Sequence, residues 1–271
     1  MLPQSLTQVR IIVLSDLHYG NPYCSEKHFL RTLDYIKDNK NVYVFLNGDL
    51  CESAIKSSKG DIFSEKVPPG KQKKWVIKQL SPIKDRILGV TTGNHENRIY
   101  NETGVDLSCE IAEAVNAPYS PDGLLFKLSF GSGNESHADK PYVFWSYITH
   151  GYGGARTRGA KNSKLERAAT FVDADWYAMS HDHVVNVEPD VVLKPDPRGT
   201  INEDGFLTGK VTAKRKMLVK TNAFWKWGGY EESGGFSPSD LATPLIWLLT
   251  PKSEMWEMLP DKPRQAVKVT V

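Results

Sequence analysis

Asp16-Leu17-His18, Gly48-Asp49, Gly93-Asn94-His95, His150 and Ser180-His181-Asp182-His183 are where this chain concentrates side chains able to bind a cation or move a proton. Aspartate and asparagine offer oxygen and histidine offers imidazole nitrogen, a mixture that suits borderline divalent metals rather than the thiolate sites of structural zinc. Five of the seven histidines fall in these stretches. His28 and His137 lie outside them and read as surface histidines. Asp16, His18, Asp49, Asn94, His150, His181 and His183 are too many ligands for one tetrahedral ion. They fit two ions sharing one carboxylate, about 3.5–4 Å apart in two-metal hydrolases. Singly, each stretch has an ordinary explanation: Asp-x-His arises by chance, Gly-Asp marks a turn, and His150 suits a hydrogen-bonded core. Together, each at the end of an apolar run, they point to a metal centre.

The elements that must position them follow from the hydrophobic pattern. Residues 9–14 and 42–46 are short apolar runs that end at Ser15-Asp16 and Asn47-Gly48-Asp49, as buried strands would. Ile87, Leu88 and Val90 form a third, which leads into Gly93, read as a turn residue, and then Asn94-His95. The spacing of Phe29, Leu30, Leu33 and Ile36 predicts a helix over 26–39. Further helices are expected over 75–83, broken by Pro82, and over 106–115 and 164–172. Residues 57–74, with Pro68-Pro69-Gly70, read as a surface loop. Residues 124–130 and 142–149 read as strands, and 184–271 as mostly strand-like. Early strand–helix alternation followed by β-rich sequence predicts an α/β domain with two packed sheets. Alternation within an extended chain is expected to put Asp16 and His18, and likewise His181 and His183, on one side. The loops at neighbouring strand ends are where α/β sheets place ligands.

Composition narrows the function classes. The 271 residues suit a single domain over 1–271, with the β-rich part from about 190 as the place for an insertion. A net charge of +2 does not announce a nucleic-acid binder. Cys24, Cys51 and Cys109 are odd in number, lack zinc spacing and read as free thiols in a reducing compartment. The opening "MLPQSLTQVR" has no apolar signal core and no stretch reaches membrane-spanning length, so a cytoplasmic protein without membrane contact is the expectation. Oligomeric state is not legible.

The motifs "SDLHYG", "NGDLCE", "TGNHEN", "ITHG" and "SHDH" resemble the five motifs of the calcineurin-like metallophosphoesterase superfamily. The resemblance implies two packed mixed β-sheets flanked by helices, a four-layer sandwich with a dimetal centre at one sheet edge. It implies Asp16, His18 and His183 on one metal, Asn94, His150 and His181 on the other, Asp49 bridging, and His95 as the catalytic histidine. Two divalent ions are expected, manganese first, with iron or zinc as alternatives. Ser180 departs from the family pattern, which has glycine there. Glu96 is expected either to orient a histidine or to cap the turn.

For the substrate, Arg156 and Arg158 after His150, and Arg98 after His95, are candidate phosphate contacts. The basic runs "KVPPGKQKKW" and "KVTAKRKM" support a local phosphate-binding surface at most. Phe224, Trp225, Trp227 and Tyr230 read as packing rather than as a base-stacking platform. The resulting expectation is a phosphodiesterase acting on DNA, RNA or a nucleotide. The alternatives are a phosphomonoesterase and a non-catalytic scaffold of the same fold.

Overall fold

Val9, Ile11 and Val13 bury on one face of the first strand while Ile12 and Leu14 bury on the other. A strand apolar on both faces belongs in a sheet covered on both sides, and that requirement sets the architecture. The computed structural model describes residues 1–56, 58, 62–133, 140–195, 199–209, 211–238, 240–259, 263 and 265–271, without the side chains of Leu207 and Tyr230. His137 lies outside the described residues.

The strands are β1 (Gln8–Leu14), β2 (Val42–Asn47), β3 (Ile87–Thr91), β4 (Tyr119–Ser120), β5 (Leu124–Phe130), β6 (Tyr142–Thr149), β7 (Trp176–Met179), β8 (Asn186–Pro195), β9 (Thr200–Ile201), β10 (Leu207–Thr208), β11 (Val211–Lys220), β12 (Leu245–Leu249) and β13 (Ala266–Thr270). The helices are α1 (Glu26–Asp38), α2 (Pro69–Leu80), α3 (Asn94–Thr103), α4 (Leu107–Val115), α5 (Arg158–Phe171), α6 (Tyr230–Ser233) and α7 (Glu254–Glu257). One sheet runs β13-β12-β1-β2-β3-β4 and the other β5-β6-β7-β11-β8, with β9 and β10 paired apart from both. Both sheets are mixed: β1, β2, β3 and β4 are parallel neighbours in the first, and β6, β7 and β11 in the second.

Val9, Ile11, Val13 and Phe45 from the first sheet meet Phe130, Phe144, Trp176 and Val219 from the second in the central core. Phe29, Leu33 and Ile36 of α1, Val76 and Leu80 of α2 and Ile111 of α4 cover the outer face of the first sheet. Leu165 and Ala168 of α5 cover the second. The layers are therefore helix, sheet, sheet, helix, as expected. Among the described residues no helix is long and apolar enough to cross a membrane. All three cysteines are free.

Several boundaries differ from the sequence reading, each for a local reason. α2 begins at Pro69, inside the expected loop, because proline at the first helical position gives up an N–H that has no intrahelical partner. Pro82 then lies in a 3-10 turn over Ser81–Arg86. α5 begins at Arg158, six residues early, where the Thr157 hydroxyl accepts from the Ala160 N–H. α4 starts after Asp106, which caps it through the Cys109 N–H. His28 is half-buried rather than on the surface, with Nε2 3.2 Å from Thr243 Oγ1.

Trp176 is 1 % exposed between the sheets. Trp176→Ala is expected to cost about 3–5 kcal/mol, read as a lower midpoint in equilibrium denaturant unfolding.

Candidate metal centre

The parallel strands of both sheets release their chains at one edge. β1 ends before Asp16, β2 before Asp49, β3 before Asn94 and His95, β6 before His150, and β7 before His181 and His183. These loops are not extended. Asp16, His18, Asp49, His181 and His183 all have positive φ, between 49° and 68°. The expectation that strand alternation aligns the paired residues is thus corrected: a left-handed backbone turns them inward. Such conformations are uncommon outside glycine, with Asp and His among the residues that tolerate them best. Backbone bonds between loops hold them: His18 N–H donates to Asp49 O (2.9 Å), Asp16 N–H to Gly48 O (3.1 Å) and Ser180 N–H to His150 O (3.1 Å).

The side chains converge in three overlapping groups able to hold a metal ion, Asp16–His18–His183, His18–Asp49–His95 and Asp49–His150–His181. His18 Nε2 and His183 Nε2 are 3.1 Å apart, with Asp16 Oδ1 3.3 Å from the latter. Asp49 Oδ2 lies 3.1 Å from His150 Nε2 and 3.9 Å from both His18 Nε2 and His95 Nε2. Asn94 Oδ1 is 3.2 Å from His150 Nε2 and 2.7 Å from His181 Nδ1. All eight chemistry-bearing residues singled out in the sequence therefore meet at one place.

Each imidazole is anchored from behind. His18 Nδ1 donates to Glu52 (3.0 Å), His183 Nδ1 to Glu231 (2.5 Å), His150 Nδ1 to Asn47 O (2.7 Å), His95 Nδ1 to Glu52 O (2.8 Å) and His181 Nε2 to Gly153 O (2.6 Å). An oxygen behind the ring fixes its orientation and directs the other nitrogen to the site, the arrangement that tunes metal-bound histidines. Asp16 Oδ1 is buried and makes no hydrogen bond. An orphaned carboxylate oxygen facing imidazole nitrogens fits a divalent cation.

The electrostatics agree. Burial would raise Asp16, but His183 overrides it and holds the carboxyl at about 2. Burial opposes a charged His183, yet Asp16 and Glu231 lift it to about 10. The same contest at His150 is won by Asp49, giving about 9. Here protonated histidines supply positive charge to the carboxylates. Burial pushes His18 and His95 down to about 4, so both are neutral.

Gly93 corrects a second expectation. Its φ is −103°, so it supplies no special turn. It is small because a Cβ would stand 2.1 Å from Asp49 Oδ1. Asn94 and His95 open α3, a helix unforeseen because only Glu96 and Ile99 of its ten residues are buried. The His95 N–H in that first turn donates to Asp49 Oδ1 (2.8 Å). Glu96 neither orients a histidine nor serves merely as a cap. Its carboxylate accepts from the Asp49 and Cys51 N–H groups (both 2.8 Å) and so shapes the Asp49 loop, and burial raises it to about 7.

His18, His95, His181 and His183 line a cavity of about 800 Å³ that also takes in Arg98, Arg156 and Trp225, with His150 behind it. Arg158, the first residue of α5, is exposed and outside the cavity lining. Among the described residues neither basic run reaches the cavity. In the second run, Lys214 pairs instead with Asp173 and Asp175. Of the aromatics, Phe224 and Trp225 are buried and Trp227 is exposed; the side chain of Tyr230 lies outside the described residues. Trp225 packs edge-on against His18, centroids 4.8 Å apart. Glu52 and Glu231 were missed because they lie 34 and 48 residues from the histidines they hold.

Residues 9–185 match the family model described as calcineurin-like phosphoesterase, and the chain belongs to that family. It is a phosphoesterase of the hydrolase class with a site built for divalent metal. No curated protein matches the sequence. Similar solved structures include vacuolar protein sorting 29 from Cryptosporidium parvum, 13 % identical, with 97 % of each chain covered and a TM-score of 0.44. GAP50, the anchor in the inner membrane complex of Plasmodium, is 11 % identical, with 89 % of this chain and 81 % of that one covered and a TM-score of 0.47. A metallophosphoesterase from Sphaerobacter thermophilus is 12 % identical, with 88 % and 82 % covered and a TM-score of 0.37.

Ser180, the departure from the family pattern, joins a buried network. Its hydroxyl accepts from Asn47 Nδ2 (2.5 Å) and lies 2.8 Å from Thr221 Oγ1. Ser180→Gly removes both bonds and is expected to cost about 1–3 kcal/mol in thermal or denaturant unfolding. Gly93→Ala drives a Cβ into Asp49, and Glu231→Ala releases His183. Both are expected to weaken divalent-metal binding about tenfold to a hundredfold, measured by isothermal titration of the metal-free protein.

Proposed function

We propose that the protein is a metal-dependent phosphodiesterase acting on nucleic acid or a nucleotide. The observation that carries this reading is the Asp49 carboxylate, 1 % exposed, set between two groups of imidazoles that open into one cavity. In this reading Asp16, His18 and His183 hold one divalent ion, Asn94, His150 and His181 a second, and Asp49 both. When bound, such ions polarise a phosphoryl oxygen and acidify water at neutral pH. Manganese suits the mixed nitrogen and oxygen donors, and iron or zinc would satisfy them too.

The chain's own residues supply the remainder. His95 keeps a proton on Nδ1 through Glu52 O and presents Nε2 to the cavity. A phosphoester anion beside it favours protonation at Nε2, and the proton then passes to the leaving oxygen. Arg98 lines the same cavity, with Nη1 2.7 Å from Ser58 Oγ, and orients a non-bridging phosphate oxygen. A cavity of about 800 Å³ leaves room for an organic group on either side of one phosphate, which supports a diester over a monoester.

The test is hydrolysis of bis(4-nitrophenyl) phosphate against 4-nitrophenyl phosphate with manganese. The wild type is expected to prefer the diester, and His95→Ala to lose about a hundredfold to ten-thousandfold in kcat while retaining its metal. A monoester preference would place the protein among phosphomonoesterases. Bound metal without turnover of either ester would sink the catalytic reading in favour of a scaffold.

A further inference from the structure

One wall of the cavity carries two cations that, among the described residues, form no ion pair. The guanidinium carbon of Arg156 stands 4.4 Å from the centre of the Phe236 ring, and Lys161 Nζ stands 5.8 Å from the same centre. All three residues line the cavity that holds the histidines. The carboxylates on this wall are already engaged. Asp182 pairs with Lys164 (2.7 Å) and Lys220 (2.5 Å), and Glu231 with His183 (2.5 Å). Among the described residues neither Arg156 nor Lys161 has a carboxylate within 4.0 Å.

Lys161 is only 2 % exposed, and its Nζ donates to the neutral carbonyl of Asp182 (2.8 Å). A desolvated ammonium hydrogen-bonded only to a neutral group is costly until an anion joins it; burial lowers the Lys161 pKa against the nearby Asp182 and Glu231 charges, which raise it. Arg156 is held by the face of Phe236, a contact that uses the guanidinium π-surface and leaves its N–H fork available. That fork matches two oxygens of one phosphate. Phe236 is itself tied to the metal side, because its N–H donates to Glu231 O (2.9 Å) and the Glu231 side chain holds His183.

We propose that Arg156, Lys161 and Phe236 form a second phosphate subsite, which binds a phosphate group flanking the phosphoester to be cleaved. The proposal rests on the phosphoesterase reading above and narrows it to substrates with at least two phosphates. Such a flanking phosphate occurs in a polynucleotide, one nucleoside away, and in an ester of a nucleoside diphosphate, joined directly to the first.

Three chromogenic esters distinguish these: thymidine 5′-(4-nitrophenyl phosphate), the same ester with a 3′-phosphate, and the 4-nitrophenyl ester of thymidine 5′-diphosphate. With manganese, the wild type is expected to show a KM about tenfold to a hundredfold lower for one of the two-phosphate esters. The favoured ester names the source. Arg156→Ala is expected to erase that preference; Arg156 is exposed, so folding is not at stake. Independently of turnover, calorimetric titration of the metal-free protein with thymidine 3′,5′-bisphosphate should show binding that Arg156→Ala weakens about tenfold or more. Equal KM values for all three esters, or a preference that survives in Arg156→Ala, would overturn the subsite. If no ester is turned over, the catalytic reading falls and the titration alone decides. Binding indifferent to Arg156 then removes the subsite as well, leaving an ordinary solvated arginine.

Discussion

The structure turns on a buried negative charge. Asp49 is almost fully removed from water, and a carboxylate in that position is sustained only by cations or hydrogen-bond donors on every side. One of its oxygens takes the His95 N–H at the first turn of α3, and the other faces imidazoles from three separate loops. Burial alone would raise its pKa, yet the neighbouring histidines hold it well below the ordinary carboxylate range. The alignment of strand ends from two sheets at one edge meets that demand, because no single loop carries enough donors.

Meeting it strains the backbone. Five of the residues that face the site sit in the left-handed region without being glycine, each at a cost of about 1–3 kcal/mol. What over-determines them is the pairing of loop with loop and a polar layer beneath. Asn47 is the hub of that layer. Its side chain accepts from Thr91 and donates to Thr149 O and Ser180, and its carbonyl accepts from His150. One amide thus joins the ends of β2 and β3 in the first sheet to those of β6 and β7 in the second. Asp182, with its two lysines, does the same for the loop between His181 and His183.

The same physics separates the two walls of the cavity. On the histidine side Asp16, Asp49, Glu52 and Glu96 each face an imidazole or a backbone N–H. On the Phe236 side the acids are spent and cations remain, so the wall presents positive charge at a surface already partly desolvated. The segment after β11 links the two, since it carries both Glu231, which anchors His183, and Phe236.

Much of this was legible in the residues themselves. Apolar runs of strand length that stop at Asp, Asn and His mark both the strands and the donors, because a strand buried on both faces has no other use for such groups than at its end. The layer order follows from the same pattern. What the sequence could not carry were contacts over long separations and the steric reasons behind small residues. Glu231 and Glu52 look like any acidic surface residues until the fold brings them behind histidines. Gly93 looks like a turn residue until Asp49 stands where its Cβ would be. Arg156 and Arg158 are indistinguishable two residues apart in a polar stretch; the onset of α5 puts one in the cavity wall and the other outside it. Residue type and local spacing determined which groups this protein has for chemistry. Packing two sheets face to face decided which of them meet, because distance, burial and strain exist only once the strand ends share one place.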